Sequence, residues 1–492
     1  MGVGFSTAGL CAMLALAAAA AGCALSSERP ELNPSRFAPP AQEHEWAPRA
    51  GAPAIDLEGT AVAQAERGAP APATKYSLAA LIALALSRNP ETRAAWQAAR
   101  AGAAEWAVSR APFYPTVRLE SENGYERIVD QVPKHWGTLK NWRSSDQLAL
   151  DYDLIDFGRR DAASRSAQAE MLAANLRFNR AIQTLVFAVE KNYYLLDARR
   201  ADVLAAQAIV QLAVTDRKAV EKRHAGGLAT RPDVLLARQR EARARYDLEN
   251  AELGVRDAEA DLAPALGVRV DALPAIESSA AQPIPAGLSG AVDRLIDVAL
   301  QERPDLAAAI ATVREREAAV DLARASLYPT VEFSSYYGSH AFNYTLSNPP
   351  TPQFTALAPE YAAGLAVHWD AFAGFEHVNT IVRAEAERDA ARADFYRGRL
   401  DVASEVWRAY YAFTTALRKY QYAQALLRAS QSAYDSNFGS YRNGLATIVD
   451  LLSAERDLAD AKYTLVGSRA EVLIAAASVA YATGAIPQQA RP

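Results

Sequence analysis

From Ile182 onward the apolar positions of this chain fall on sevens: Ile182, Val189, Leu196, Val203 and Val210. Val186, Tyr193 and Val214 fill the complementary seam position, which is polar twice, at Arg200 and Gln207. A seven-residue repeat over about four cycles predicts a coiled-coil helix, loosest around those two residues. From Arg159 to His224 there is neither proline nor glycine, 66 residues in all, which as a helix span roughly 100 Å. Glu376 to Asn437 occupies the same place later in the chain. Each long helix ends at a glycine turn, Gly226-Gly227 or Gly439 plus Gly444. A returning helix follows, Arg231 to Leu266 or Ile448 to Thr483, stopped by Gly267 or Gly484 as a C-cap.

Ahead of each long helix the period drops from 3.6 to 2. Val117, Leu119, Ser121, Asn123 and Tyr125 alternate with Arg118, Glu120, Glu122 and Gly124. Leu148, Leu150, Tyr152 and Leu154 alternate with Ala149, Asp151 and Asp153. The later counterparts are Val331, Phe333, Ser335 and Tyr337, then Tyr361, Ala363, Leu365, Val367 and Trp369. Segments of about ten alternating residues with aromatics near their ends suit barrel strands. A soluble half-buried hairpin alternates in the same way. The intervening stretches, one with Trp136, Lys140 and Trp142 and one with Asn348-Pro349-Pro350-Thr351-Pro352, read as exposed hairpin ends. Before the strands comes a helical piece, Ser77 to Ala111 or Ser289 to Ser326. Its interior proline, Pro90 or Pro304, predicts a break into two helices, with Asn89 and Arg303 pushed out of helical geometry.

The order is written twice. Leu81-Ile82, Pro90 and Tyr114-Pro115-Thr116-Val117 recur 214 positions later as Leu295-Ile296, Pro304 and Tyr328-Pro329-Thr330-Val331. Tyr193-Tyr194, Gly227-Leu228-Ala229-Thr230, Asp233 and Gly267 recur 217 positions later as Tyr410-Tyr411, Gly444-Leu445-Ala446-Thr447, Asp450 and Gly484. A unit this long is a duplicated half-domain rather than a solenoid repeat of about 20–50 residues. The expected division is a signal peptide at 1–22, a tether at 23–74, a first repeat at 75–270, a linker at 271–288, a second repeat at 289–485 and a tail at 486–492.

The net charge of −5 is mild, and no basic cluster points to nucleic acid. Cys11 and Cys23 are the only cysteines, so the rest of the chain carries no internal disulfide and no thiolate metal site. Gly9 to Ala21 is a small, apolar run of the kind found in signal peptides. It ends in Ala20-Ala21-Gly22-Cys23, which resembles the bacterial lipoprotein cleavage box and implies acylation of Cys23. Ala24 follows, not the Asp that often retains lipoproteins in the inner membrane, which points to the outer membrane. Residues 24–74, rich in Pro, Ala, Ser and charge, read as an extended tether with little structure of its own. No later segment offers about 20 uncharged apolar residues, so a bilayer crossing requires a closed barrel.

Four strands per chain cannot close a barrel, since bacterial examples begin at about eight. Transmembrane strands must therefore be shared among chains, and cyclic symmetry continues the barrel into a tube of helices. A helix of roughly 100 Å is far longer than a bilayer needs and suits bridging two membranes.

With its Tyr-Pro strand entries, Leu154-Ile155-Asp156-Phe157-Gly158-Arg159 exit and paired Gly-Leu-Ala-Thr-x-x-Asp tips, the chain resembles the TolC-type outer-membrane efflux ducts over residues 75–485. The resemblance implies a mainly α fold with a small β part. Long antiparallel coiled coils form a periplasmic tunnel, and four strands per chain join a shared trimeric 12-stranded transmembrane β-barrel. It implies a homotrimer in outer-membrane lipid, docked at its tips to a periplasmic adaptor protein beneath an inner-membrane transporter. The second strand-to-helix junction departs from the family pattern: it reads Phe372-Ala373-Gly374-Phe375, where an Asp and paired glycines are usual, so a different bend is expected.

The tips carry the candidate sites. Gly227 and Gly444 permit the tight turn, Thr230 and Thr447 cap the returning helix, and Asp233 and Asp450 suit its positive N-terminus. These roles suffice for stability alone. The resemblance adds adaptor contact through Gly227, Leu228, Thr230, Asp233, Gly444, Leu445 and Thr447. It also adds a pore gate at Asp450 and Tyr441, with Ser453 where a second acid often occurs and Ala446 where a basic partner sometimes falls. No HExxH, close acid–base set or phosphate loop is present, so neither an enzyme nor a cofactor is expected.

The reading is a passive exit duct of a tripartite efflux system. A duct for type I protein secretion is the alternative, and a non-conducting periplasmic coiled-coil scaffold is a third.

Overall fold

The computed structural model describes residues 39, 42–44, 75–132, 135–285, 287, 291–346 and 354–485. The predicted signal, Cys23, most of the tether, the Asn348–Pro352 hairpin end and the tail lie outside these residues. Within the described part of the tether, the Pro39 carbonyl accepts from Trp96 Nε1 at 2.6 Å and Gln42 donates to the Ser87 carbonyl. The tether is therefore not structureless along its whole length: it docks at these points on the first helical pair.

That pair is α1 (Leu78–Arg88) and α2 (Pro90–Ser109). Asn89 breaks it as expected, with φ −64° and ψ 127°, and its side chain accepts from Glu91 N–H at 2.8 Å and Thr92 N–H at 3.3 Å to start α2. The repeat supplies α5 (Val292–Glu302) and α6 (Pro304–Ala325). Arg303, in the place of Asn89, has the same extended backbone but no capping side chain. Its buried guanidinium instead bonds Asp305, Glu405 and the Ala482 carbonyl.

The long hairpins are α3 (Arg159–Ala225) with α4 (Arg231–Ala265), and α7 (Glu376–Arg442) with α8 (Ile448–Thr483). Leu81, Ile82 and Leu86 of α1 pack with Phe178, Ile182, Val189 and Tyr193 of α3 and Leu262 of α4. The second half repeats this core with Leu306, Val402, Val406, Phe413, Val472 and Val479. Each fully buried side chain of this size stabilises by about 1.5–3 kcal/mol. α3 also packs against α6 and α8, so the halves share an interface. Among the described residues α8 alone is long and apolar enough to cross a membrane by composition. Its apolar side chains Val472 and Val479 belong to the second core. Arg469 bonds the carbonyls of Ser279, Ala280 and Gln282, and Glu471 accepts from Lys419.

The heptad loosens around Arg200 and Gln207 as the sequence predicts, but its seam also shifts. The buried line follows Ile182, Val186, Val189, Tyr193 and Leu196, then resumes at Ala206, Ile209, Ala213, Asp216 and Val220. Val203 and Val210 are only half-buried. The step from Leu196 to Ala206 is ten residues where the pattern calls for eleven, so the seam moves by one position. Polar side chains at the extrapolated seam account for the shift. Arg200 turns out to pair with Glu259 at 3.1 Å, and Gln207 is exposed.

The strands β1 (Thr116–Val132), β2 (His135–Ile155), β3 (Thr330–Leu346) and β4 (Phe354–His368) form one antiparallel sheet in sequence order. β2 is longer than its alternation predicts and takes in Trp136, Lys140 and Trp142, so these three residues belong to the strand and not to an exposed hairpin end. The register puts Leu119 opposite Leu148, Leu148 opposite Tyr337, and Tyr337 opposite Tyr361. One face is thereby apolar across all four strands, with Val117, Leu150, Phe333, Leu365 and Val367 on it. The other carries Arg118, Glu120, Asp151, Glu332 and Glu360, with Arg118 paired to Asp151 at 2.5 Å.

Both strand-to-helix junctions bend through two consecutive left-handed residues. The first uses Phe157 (φ 50°) and Gly158 (φ 89°), the second Gly374 (φ 59°) and Phe375 (φ 67°). The second bend is thus retained despite its altered sequence, with glycine and phenylalanine exchanged.

Candidate functional site at the hairpin tips

Each tip is closed by the same two devices. At the first, Leu228 N–H bonds the Arg223 carbonyl at 2.8 Å and Gly227 N–H bonds the His224 carbonyl at 3.0 Å. At the second, Leu445 N–H bonds Ser440 at 2.9 Å and Gly444 N–H bonds Tyr441 at 3.1 Å. This is the Schellman pattern, which needs a left-handed residue; Gly227 (φ 73°) and Gly444 (φ 75°) supply it. A capping box then starts each returning helix. Thr230 N–H donates to Asp233 Oδ2 at 2.7 Å and Asp233 N–H to Thr230 Oγ1 at 3.4 Å. Thr447 and Asp450 repeat it at 3.0 and 3.2 Å.

The turns leave Leu228 71% and Leu445 83% exposed. Thr230 and Thr447 are exposed and Asp233 is half-buried. Asp450 and Ser453, three residues apart, share an exposed face of α8. Hydrogen bonds from the Thr447 hydroxyl and backbone hold the Asp450 carboxyl below its ordinary range.

Tyr441 lies elsewhere. It is 3% exposed and packs in a core with Val220, Val234, Ile448 and Leu451 that joins the two hairpins. Arg223, which the sequence reading did not single out, grips it. The guanidinium sits over the Tyr441 ring and donates to the Tyr441 and Arg442 carbonyls of one tip and the Leu228 carbonyl of the other. A basic residue in the last turn of a long helix was the available signal. A second missed group, Asp216 and Glu455, is buried further up the same bundle.

Two duplicated halves, one four-stranded sheet and two tip-closed hairpins give a fold that can be matched as a whole. The family model described as outer membrane efflux protein matches residues 81–268 and 295–485, each half in turn. The chain belongs to the outer membrane efflux protein family. This efflux protein is 29% identical over 416 residues to Protein CyaE of Bordetella pertussis, covering 82% of this chain and 84% of that one. It is 25% identical over 391 residues to the pyoverdine export outer membrane protein OpmQ of Pseudomonas putida, covering 78% and 80%. Its fold matches the solved outer-membrane channel OprN with a TM-score of 0.72 at 21% identity, over 83% of this chain and 89% of that one. As a member of that family the efflux protein is an outer-membrane efflux component, and the scaffold alternative falls away.

Proposed function

We propose that three copies of this efflux protein close one barrel and one tunnel, forming a passive exit duct that docks at its tips on a periplasmic adaptor beneath an inner-membrane transporter. The open sheet carries the reading. Among the described residues β1 and β4 each pair on one side only, and unpaired backbone groups cost several kcal/mol each in lipid. Three sheets give twelve strands, within the range of closed outer-membrane barrels.

The helices support the same closure. They pack in the order α4, α3, α8, α7, leaving α4 and α7 on the flanks. Tyr396, Leu400, Trp407, Tyr411, Tyr422 and Leu426 are exposed along α7, and Leu235, Tyr246 and Leu253 along α4. Such stripes are what neighbouring copies would bury. At the tips, Leu228 and Leu445, framed by Gly227, Thr230, Asp233, Gly444 and Thr447, form the adaptor contact. Asp450 and Ser453 line the narrow end of the pore, while Tyr441 acts inside the protomer by holding its two hairpins together. The chain performs no chemistry, and transport energy comes from the inner-membrane partner. Acylation of Cys23 fastens the duct to outer-membrane lipid.

Cargo is proposed to be small organic molecules, in keeping with relatives named for pyoverdine export and for toluene efflux. Deleting the gene should raise cellular accumulation of small toxic compounds and complementation should reverse it. Loss of a secreted protein with unchanged accumulation would favour the type I secretion alternative.

A further inference from the structure

Four helices converge on two carboxyl groups above the tips. Asp216 of α3 and Glu455 of α8 are both 0% exposed. Tyr434 of α7 donates its hydroxyl to Asp216 Oδ1 at 3.2 Å, and Arg240 of α4 donates Nε to Glu455 Oε1 at 3.2 Å. The other Glu455 oxygen, Oε2, is buried without a donor. The Asp216 and Glu455 side chains lie within hydrogen-bonding reach of each other.

Two ionised carboxylates in contact cannot satisfy this arrangement. Neither offers a hydrogen, and a single arginine balances only one of the charges. One proton satisfies every atom. Protonated Asp216 donates to Glu455 Oε2 and accepts from Tyr434, while Glu455 stays ionised against Arg240. Asp435 and Tyr441, both on α7, also lie close by, and Tyr463 of α8 interacts with Arg240.

We propose that Asp216 and Glu455 share one proton and form a pH-responsive lock between the two hairpins. With the proton in place the pair joins α3 to α8 and the tips stay together. Without it, two buried negative charges push the hairpins apart and the tip relaxes. The consequence for transport rests on the reading of the tips as the gated end of the duct.

The sign follows from proton linkage. Burial first, and then the neighbouring Glu455, push Asp216 from an ordinary 3.8 up to about 7. The closed tip therefore binds the proton more tightly than an opened, hydrated one. Closure is strongest below about pH 4, weakens as pH rises through about 7, and changes little beyond.

Infrared spectroscopy and amide hydrogen exchange on the full-length protein in lipid, with exchange corrected for its intrinsic pH dependence, test this. The wild type should show a buried carboxylic acid carbonyl band that disappears near pH 7. Tip exchange at residues 216–240 and 434–455 should rise about tenfold per pH unit within the window, as one bound proton requires. Asp216→Asn can make both hydrogen bonds without ionising, so it should lose the band and keep the tips protected throughout. Glu455→Gln should likewise flatten the exchange profile. Absence of the band at pH 5, or a profile shared by wild type and both variants, would overturn the lock. Neither readout needs conduction, so this failure is separable from failure of the duct reading.

Discussion

The Arg223 guanidinium lies 4.7 Å from the ring centroid of Tyr441 and bonds backbone carbonyls in both tips, so one side chain at the end of α3 ties the two hairpins together. Its charge also suits the negative C-terminal ends of both long helices. Arg223→Ala removes charge-assisted hydrogen bonds worth about 1.5–3 kcal/mol each. It should lengthen open times in planar bilayers while trimers survive. The Tyr441 hydroxyl is buried without a hydrogen-bond partner. Tyr441→Phe should accordingly be neutral or slightly stabilising, with gating unchanged. A leaky Tyr441→Phe channel would show that the hydroxyl works across copies.

Register in the sheet depends on Gly338. A Cβ there would meet the Asp146 carbonyl oxygen and come within 2.7 Å of Gln147 Cβ, whereas one at Gly364 meets nothing within 4 Å. Gly338→Ala should sharply reduce heat-modifiable trimer on gels and Gly364→Ala should leave it intact. Equal behaviour would mean that the β2–β3 pairing is not a constraint on assembly.

The two junction bends allow a test of backbone strain without side-chain clash. Phe375→Gly should raise stability by about 1 kcal/mol, because a left-handed non-glycine residue costs roughly 1–2 kcal/mol, offset in part by the lost ring contacts. Gly374→Ala should lower stability by a similar amount, since a Cβ there meets no atom within 4 Å. Denaturant midpoints of the detergent-solubilised protein measure both.

Much of this architecture was legible in the sequence because its signals are local. Pro90 and Pro304 break helices by sterics, Gly227 and Gly444 mark left-handed turns, and alternation from Val117 and Val331 marks strands. The misses depend on partners far along the chain. Extrapolating sevens past Leu196 put Val203 and Val210 in the seam and hid Asp216, because the buried line shifts where Arg200 reaches Glu259 on another helix. The burial of Tyr441 was hidden because nothing near it in sequence shows that Arg223, 218 positions earlier, covers it. The bend at Gly374-Phe375 survives because the backbone needs two left-handed residues and either order supplies one glycine.

Leu228→Glu and Leu445→Glu place charge on the exposed tip face. If the adaptor docks there, each should lower adaptor co-purification about tenfold or more, the effect of losing roughly 1.4 kcal/mol. Trimer yield should not change. Unaltered co-purification would move the contact away from the tips.

Cys23→Ser should abolish incorporation of radiolabelled palmitate. Persistent labelling would show that the lipid is carried by another residue.

The central claim is that one chain supplies only part of a closed wall, and particle mass measures this most directly. Light scattering on the purified protein in detergent, corrected for bound detergent, should give close to three times the chain mass of 53.0 kDa, less any cleaved signal. A protein that stays a monomer, soluble with no detergent present, would contradict it.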